Sequence, residues 1–307
     1  MSFLLINLRA VLRTMKARKA RTLLTILGIV IGVAGVILIV AMGAGAQHLV
    51  LSQITKLGTN LIGVLPGKSD ESGPPAAVFG VQVTTLTNQD AEALANRTRF
   101  PDIQAVAGFV RGSATLVWKN ENVDTFFTAT QASYPVLHDL EMESGRFFEE
   151  QEETSAANVM VLGYDIKDLL FGNTDPLGQV VKIKSVPFVV VGVASKQGTV
   201  AFQNQDDQVF VPLLVGQRQL LGIKYLQFIR AKVEPDSDVK QIIAEIRLLL
   251  RERHKIAKEE DADFSVMALA EAIKVLTNIT DSLRLFLTVM AGVALLVGGI
   301  GIMNIML

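Results

Sequence analysis

The chain has 307 residues, half of them hydrophobic and 19% charged, with no cysteine and a formal net charge of -1. That balance excludes a disordered chain and argues against a nucleic-acid-binding one, and the lack of cysteine removes disulfides, thiol nucleophiles and cysteine zinc sites while leaving the compartment open. The length would suit two domains of about 150 residues each, but a mean hydropathy of +0.39 is high for a wholly water-soluble globule, so a portion of the chain is expected to meet lipid.

Residues 1–22 contain Arg9, Arg13, Lys16, Arg18, Lys19 and Arg21 and no acid, a charge of +6, so the remainder of the chain carries -7. Leu4, Leu8, Val11 and Met15 recur at helical spacing with Arg9, Arg13 and Lys16 opposite, the pattern of an amphipathic helix at the cytoplasmic face of a membrane. The alternative is a plain basic topology signal. Residues 23–46 carry no charge, and thirteen of the first twenty are Leu, Ile or Val. Those twenty would form a helix about 30 Å long, the thickness of a bilayer core, with about 4–8 kcal/mol favouring insertion. The small residues Ala44, Gly45 and Ala46 also have the form of a signal-peptide cleavage site. The apolar run is much longer than the usual 7–15 residues of a signal peptide, so a retained anchor is expected. Gly28 and Gly32 form a GxxxG with Gly35 a turn further on, which suits close packing of membrane helices.

Residues 47–284 are large enough for an independent core. A short strand at 60–65 is followed by a turn-rich loop at 66–80. A helix starts at Thr87, with Asp90 completing a T-x-x-D capping box, and runs to about Arg97 before a strand near 103–110. The later half repeats this order, with a strand at 225–233, a helix at 237–253 and a strand at 263–267. In that helix Val239, Ile242, Ile243, Ile246, Leu249 and Leu250 make one stripe, opposite Lys240, Glu245, Arg247 and Arg251. Two βαβ-like units so far apart predict one small α/β layer with an insertion. The insertion, about 115–212, reads as β-rich, with strands at 180–183, 188–193 and 209–211 and turns at Gly145, Gly172, Asp175-Pro176 and Gly178.

After Met267 a helical pattern through Ala270, Ile273, Leu276 and Ile279 leads into a second uncharged stretch, 285–307. The first anchor continues outward in the same way through 49–57, so two helical stalks are expected. The positive flank places the N-terminus in the cytoplasm and residues 47–284 outside it.

Residues that carry chemistry are sparse. His48, His138 and His254 are scattered with no H-x-x-x-H spacing, and are expected as solvent or packing residues rather than ligands. The acidic runs EEQEE (149–153) and EEDAD (259–263) lack the alternating ligands of a calcium loop and read as solvated faces. GVLPGKS (63–69) ends like a phosphate-binding loop, yet its first glycine is one residue too close, position 62 being Ile62, and DESGPP (70–75) follows where a helix should begin. No G-x-S-x-G elbow occurs. No catalytic, cofactor-binding or metal-ligating residue is therefore expected.

Several ordered motifs carry a resemblance: SGRFF (144–148), VMVLG (159–163), LFG (170–172), DPLG (175–178), FVVVGV (188–193) and DQVFVP (207–212). Together they resemble the extracytoplasmic core of MacB-type ABC transporter permeases, in the FtsX-like family. RKARTLLTILGIVIG (18–32) is similar to that family's first transmembrane helix, and GGIGIMNIML (298–307) to its second. The resemblance implies an α+β extracytoplasmic domain, a porter-like α/β subdomain interrupted by a β-rich subdomain, carried on two transmembrane α-helices with stalk extensions. The corresponding boundaries are a cytoplasmic basic segment 1–22, transmembrane helix 23–46, extracytoplasmic domain 47–284 and transmembrane helix 285–307. It further implies a multi-pass protein of a prokaryotic inner membrane, a homodimer or a pair with a paralogous permease, and a periplasmic adaptor or outer partner. A cytoplasmic ABC ATPase would use the ATP, with no cofactor on this chain. The family has four membrane helices, so a chain ending at Leu307 is expected to be cut after the second. Export is the leading expectation. An FtsX-like regulator that transmits force to an extracytoplasmic enzyme is the alternative, and a membrane-tethered enzyme a third.

Overall fold

The computed structural model describes residues 30, 34–35, 37–38, 41, 43, 45, 60–68, 83–200, 203–258, 261–269, 281–283, 285–290, 292–293, 296, 299 and 303. The chain divides into two units, Met1–Leu51 with Val275–Leu307, and Ser52–Lys274. In the first unit every described residue is helical, and apolar side chains such as Ile37, Leu38, Leu285, Phe286 and Leu296 are exposed. Among the described residues no helix is long and apolar enough to cross a membrane. The expected interfacial segment, most of both apolar stretches and most of the stalks lie outside the described residues.

The second unit runs β1 (Leu61–Pro66), α1 (Asn88–Leu94), β2 (Ile103–Trp118), β3 (Glu121–Thr130), α2 (Tyr134–His138), β4 (Met142–Gly145), α3 (Glu150–Thr154), β5 (Val159–Leu162), α4 (Tyr164–Phe171), β6 (Val180–Ile183), β7 (Val186–Ala194), β8 (Thr199–Val200), β9 (Gln203–Asn204), β10 (Gln208–Pro212), α5 (Leu213–Val215), a π-helical segment Gly216–Leu221, β11 (Phe228–Val233), α6 (Val239–Arg253) and β12 (Phe264–Ala268). The first and last pieces make an antiparallel layer in the order β12-β1-β11-β2. Each β-α-β unit leaves a gap that a strand of the other fills, the split arrangement of a ferredoxin-like fold. The two units read from the sequence are thus interleaved in one layer.

The helices follow local rules. Asp90 turns back on Thr87, accepting from its backbone N–H at 2.8 Å and from its hydroxyl at 2.7 Å, which fixes the start of α1. The N-cap of α6 is Asp238, whose carboxylate accepts from the N–H groups of Lys240 and Gln241. Ile242, Ile243, Ile246, Leu249 and Leu250 are buried, as their stripe predicts.

The strand expected at 103–110 does not stop there. Beyond Arg111 and Gly112 it continues, with Ala114, Leu116 and Trp118 buried between more exposed neighbours. Gly112 sits inside the strand because a Cβ there would collide with the Phe127 ring. The second half of β2 then opens a closed ring, β2-β3-β10-β5-β7-β6 and back to β2. Leu116, Phe127, Met160, Leu162, Ile183, Phe188 and Val209 fill this six-stranded barrel, continuous with the core under α1 and α6. The helix α4 adds Ile166, Leu170 and Phe171 to the same core, the Phe171 ring 4.3 Å from Trp118. A two-residue turn, Lys184-Ser185, joins β6 to β7 with both residues at positive φ, which matches the twist of a tight hairpin.

Phe127 is fully buried where the barrel meets β2. Phe127→Ala is expected to cost about 3–5 kcal/mol. Trp118 is the chain's single tryptophan, so its emission during urea unfolding reads the loss as a lower midpoint.

Candidate functional site

The second unit begins at a central strand and ends at the edge strand beside it. Ile62, near the start of β1, pairs with Ala268, the last residue of β12, and the ladder runs on through Val64–Val266 to Pro66–Phe264. The two chain segments that connect the units therefore join the second unit at one end of a single antiparallel pair. A pull shared by both segments runs along the two backbones, whereas a pull that separates them unzips the pair from Ile62–Ala268 onward.

The far end of that pair is fastened by polar contacts. Asp263, just before β12, accepts through its carbonyl from Gly67 N–H at 2.7 Å and from the Thr85 hydroxyl at 3.0 Å. Its carboxylate lies 2.8 Å from His254 Nδ1, and His254 Nε2 lies 3.3 Å from Asp90 Oδ2. Arg253 Nε donates to Asp90 Oδ1 at 2.7 Å, and Arg247 donates to the Val266 carbonyl at 3.1 Å. One network thus ties α1, α6, β1 and β12. Asp90 is only 2% exposed. Burial pushes its carboxyl up, but hydrogen bonds from Arg253, Thr87 and His254 outweigh that and hold it below the usual carboxylate range.

The other face of the layer is aromatic and basic. Phe109 and Phe228 stack with centroids 4.6 Å apart, and the Arg230 guanidinium lies 5.6 Å and 5.1 Å from their rings. Tyr134, Phe147 and Phe210 continue the cluster. Burial, assisted by Arg230, Arg111 and Lys232, pushes His138 down to about 3, so it stays neutral beside Arg230 Nη1 at 3.3 Å. Burial also pushes Tyr134 up to about 12 and Arg230 down to about 10. These groups hold α2 and β10 against the layer.

The residues singled out from sequence are not brought together. His48 lies outside the described residues, His138 lies in the aromatic cluster, and His254 is a bridging member of the polar network rather than a lone packing residue. The run 149–153 forms the start of α3. Glu152 holds Arg146 with two contacts of 2.7 and 2.8 Å, and Glu153 accepts from Ala132 N–H. In the run 259–263, residues 259 and 260 are outside the described residues. The Gly67 N–H, which a phosphate cradle would need free, is already bonded to Asp263. Among the described residues no group of three or more His, Asp or Glu is placed to hold a metal ion. Sequence reasoning missed the network; the T-x-x-D box was its one visible member.

Fold and junction define a mixed α/β domain set between two chain segments and fastened to both through one pair of strands. Residues 22–249 match the family of the MacB-like periplasmic core domain. The macrolide export ATP-binding/permease protein MacB of Azoarcus sp. is 37% identical over 308 residues, covering 100% of this chain and 45% of that protein. The pyoverdine export ATP-binding/permease protein PvdT of Pseudomonas syringae pv. tomato is 32% identical over 306 residues, covering 99% of this chain and 44% of its own length. The crystal structure of the periplasmic region of MacB from Actinobacillus actinomycetemcomitans aligns with a TM-score of 0.61 at 22% identity, over 75% of this chain and 98% of that one, a likeness of fold. The chain belongs to the MacB-type ABC transporter permeases, with a MacB-like periplasmic core domain. It spans less than half the length of these two relatives.

Because Asp90 is held below its ordinary value of 3.8, its contribution is complete above about pH 4 and is lost as the pH falls through the lowered value. Asp90→Asn is expected to cost about 2–4 kcal/mol at pH 7, and the difference from wild type to shrink as the pH falls below the ordinary carboxylate value of 3.8. Urea midpoints across that range check both, and equal midpoints at pH 7 would contradict the network's role.

Proposed function

We propose that this chain is the permease component of an ABC-type exporter, with the second unit outside the cytoplasm. Residues 23–46 and 285–307 would span the membrane, the N-terminus would lie in the cytoplasm, and helical stalks would link the spans to β1 and β12. A cytoplasmic ATPase would hydrolyse ATP, and two permease chains, identical or paralogous, would move their outer domains together. The observation that carries this reading is the match of residues 22–249 to the MacB-like periplasmic core domain. The paired ends of β1 and β12 support it, since movement of either stalk would load one shared ladder. The relatives' names denote export, of macrolides in one and of pyoverdine in the other, which favours transport over regulation of an outer enzyme. A periplasmic adaptor or outer partner would complete the route.

The test is co-purification of the full-length protein with the ABC ATPases of its host, followed by export measured with a hydrolysis-dead ATPase. One ATPase is expected to co-purify, and its inactivation to abolish export. Recovery of none, or export undiminished by the dead ATPase, would sink the proposal. Loss of activation of an outer enzyme with export intact would transfer the chain to the regulatory reading.

A further inference from the structure

The small β8–β9 hairpin is tied to the outer face of the barrel by Arg111, whose Nη1 donates to Gln203 Oε1 at 2.7 Å while Nε donates to Thr128 Oγ1 at 3.2 Å. Beneath it lies a cleft of about 510 Å³, lined by Arg111, Gly112, Phe126, Gln203, Asp207 and Gln208 among others. Its size falls in the range of small-molecule sites, roughly 300–1,000 Å³.

The cleft carries two opposite charges that do not meet. The Arg111 guanidinium donates to one hydroxyl and one side-chain amide, both neutral, and burial pushes it down. The Asp207 carboxylate accepts from the Thr125 hydroxyl at 2.8 Å. Among the described residues neither makes an ion pair, although both line the same space. A partly buried guanidinium whose donors meet only neutral oxygens can take a carboxylate in a stronger, charge-assisted contact. Phe126 adds an apolar surface, 60% exposed from the middle of β3. The floor is pre-set, because Gln208 is held by Thr128 Oγ1 at 2.8 Å and by Gln205, and Asn204 is held by Asp165 at 2.8 Å. Fixed polar groups around a gap bind better than groups that must be ordered on contact.

We propose that this cleft binds a small amphipathic zwitterion of the amino-acid or short-peptide class, its carboxylate on Arg111, its ammonium on Asp207 and its apolar side chain over Phe126. The site goes beyond the export reading. Equilibrium binding needs neither an ATPase nor transport, so a failure here leaves that reading standing.

The test uses the whole chain in detergent and the dipeptide Leu-Phe with both termini free, followed by saturation-transfer NMR. Saturable binding is expected, weakened at least tenfold by Arg111→Gln and at least tenfold by amidating the dipeptide's C-terminus, a loss of about 1.4 kcal/mol or more in each case. In Arg111→Gln the amide and the free acid should bind alike, and Phe126→Ser and Asp207→Asn should each weaken the free dipeptide. Trp118 emission reports whether each variant is folded; if Arg111→Gln is not, the amide arm on wild type decides alone. No saturable binding up to about 10 mM, a limit of only a few kcal/mol, overturns the proposal. So does a less than tenfold loss in either the Arg111 or the amide arm.

Discussion

The second unit depends on the continuity of β2. Over its first half β2 is the edge of the ferredoxin-like layer, paired with β11. Over its second half it is a wall of the barrel, paired with β3 and β6. Its first half is buried on both faces, Val106 and Val110 on one and Ala107 and Phe109 on the other. In its second half Ala114, Leu116 and Trp118 are buried alternately, so a slip by one residue there would turn all three outward together. The insertion is therefore joined to the layer by an unbroken backbone and a shared core, not by a linker. Gly112 is where this was most easily lost, because any side chain at that point would drive Phe127 out of the barrel.

That rigidity gives the β1–β12 pair its meaning. The pair is held on one side by β11 and at its far end by Asp263, His254 and Asp90, so its near end is where it can give. Hydrogen bonds of an antiparallel ladder share a load applied along the strands, but break in succession when the ends are drawn apart. The stapled end explains why a buried carboxylate is kept under the helices, where an apolar residue would avoid its desolvation.

Much of the layer was legible because its signals are local. The stripe on α6 and the T-x-x-D box on α1 need only spacing and capping, and β6, β7 and β10 are short apolar runs bounded by turns. The strand β3 was not legible. ENVDTFFTAT offers Val123, Thr125, Phe127 and Ala129 inward and charged or polar residues outward until Phe126, too weak an alternation to see. The strands β4 and β5 have four residues each, below the length at which periodicity speaks. The polar network and the cleft depend on residues brought together only by packing, such as Asp90 with His254 and Arg111 with Asp207.

The distribution of charge across the second unit separates fastening from recognition. Asp90 answers Arg253, Glu152 answers Arg146, and the buried Asp206 accepts from the N–H groups of Gln197 and Gly198, closing the loop before β8. Each of these carboxylates has a donor that satisfies it, and each contact joins two pieces of the fold. Arg230 departs from this pattern, yet it is covered by two aromatic rings and His138, so its charge faces protein. Arg111 and Asp207 are held only by neutral groups, are opposite in sign and face one open space. A cation and an anion that line one open space, each bonded only to neutral groups, form the pair of charges in this unit that a ligand of both signs would recognise.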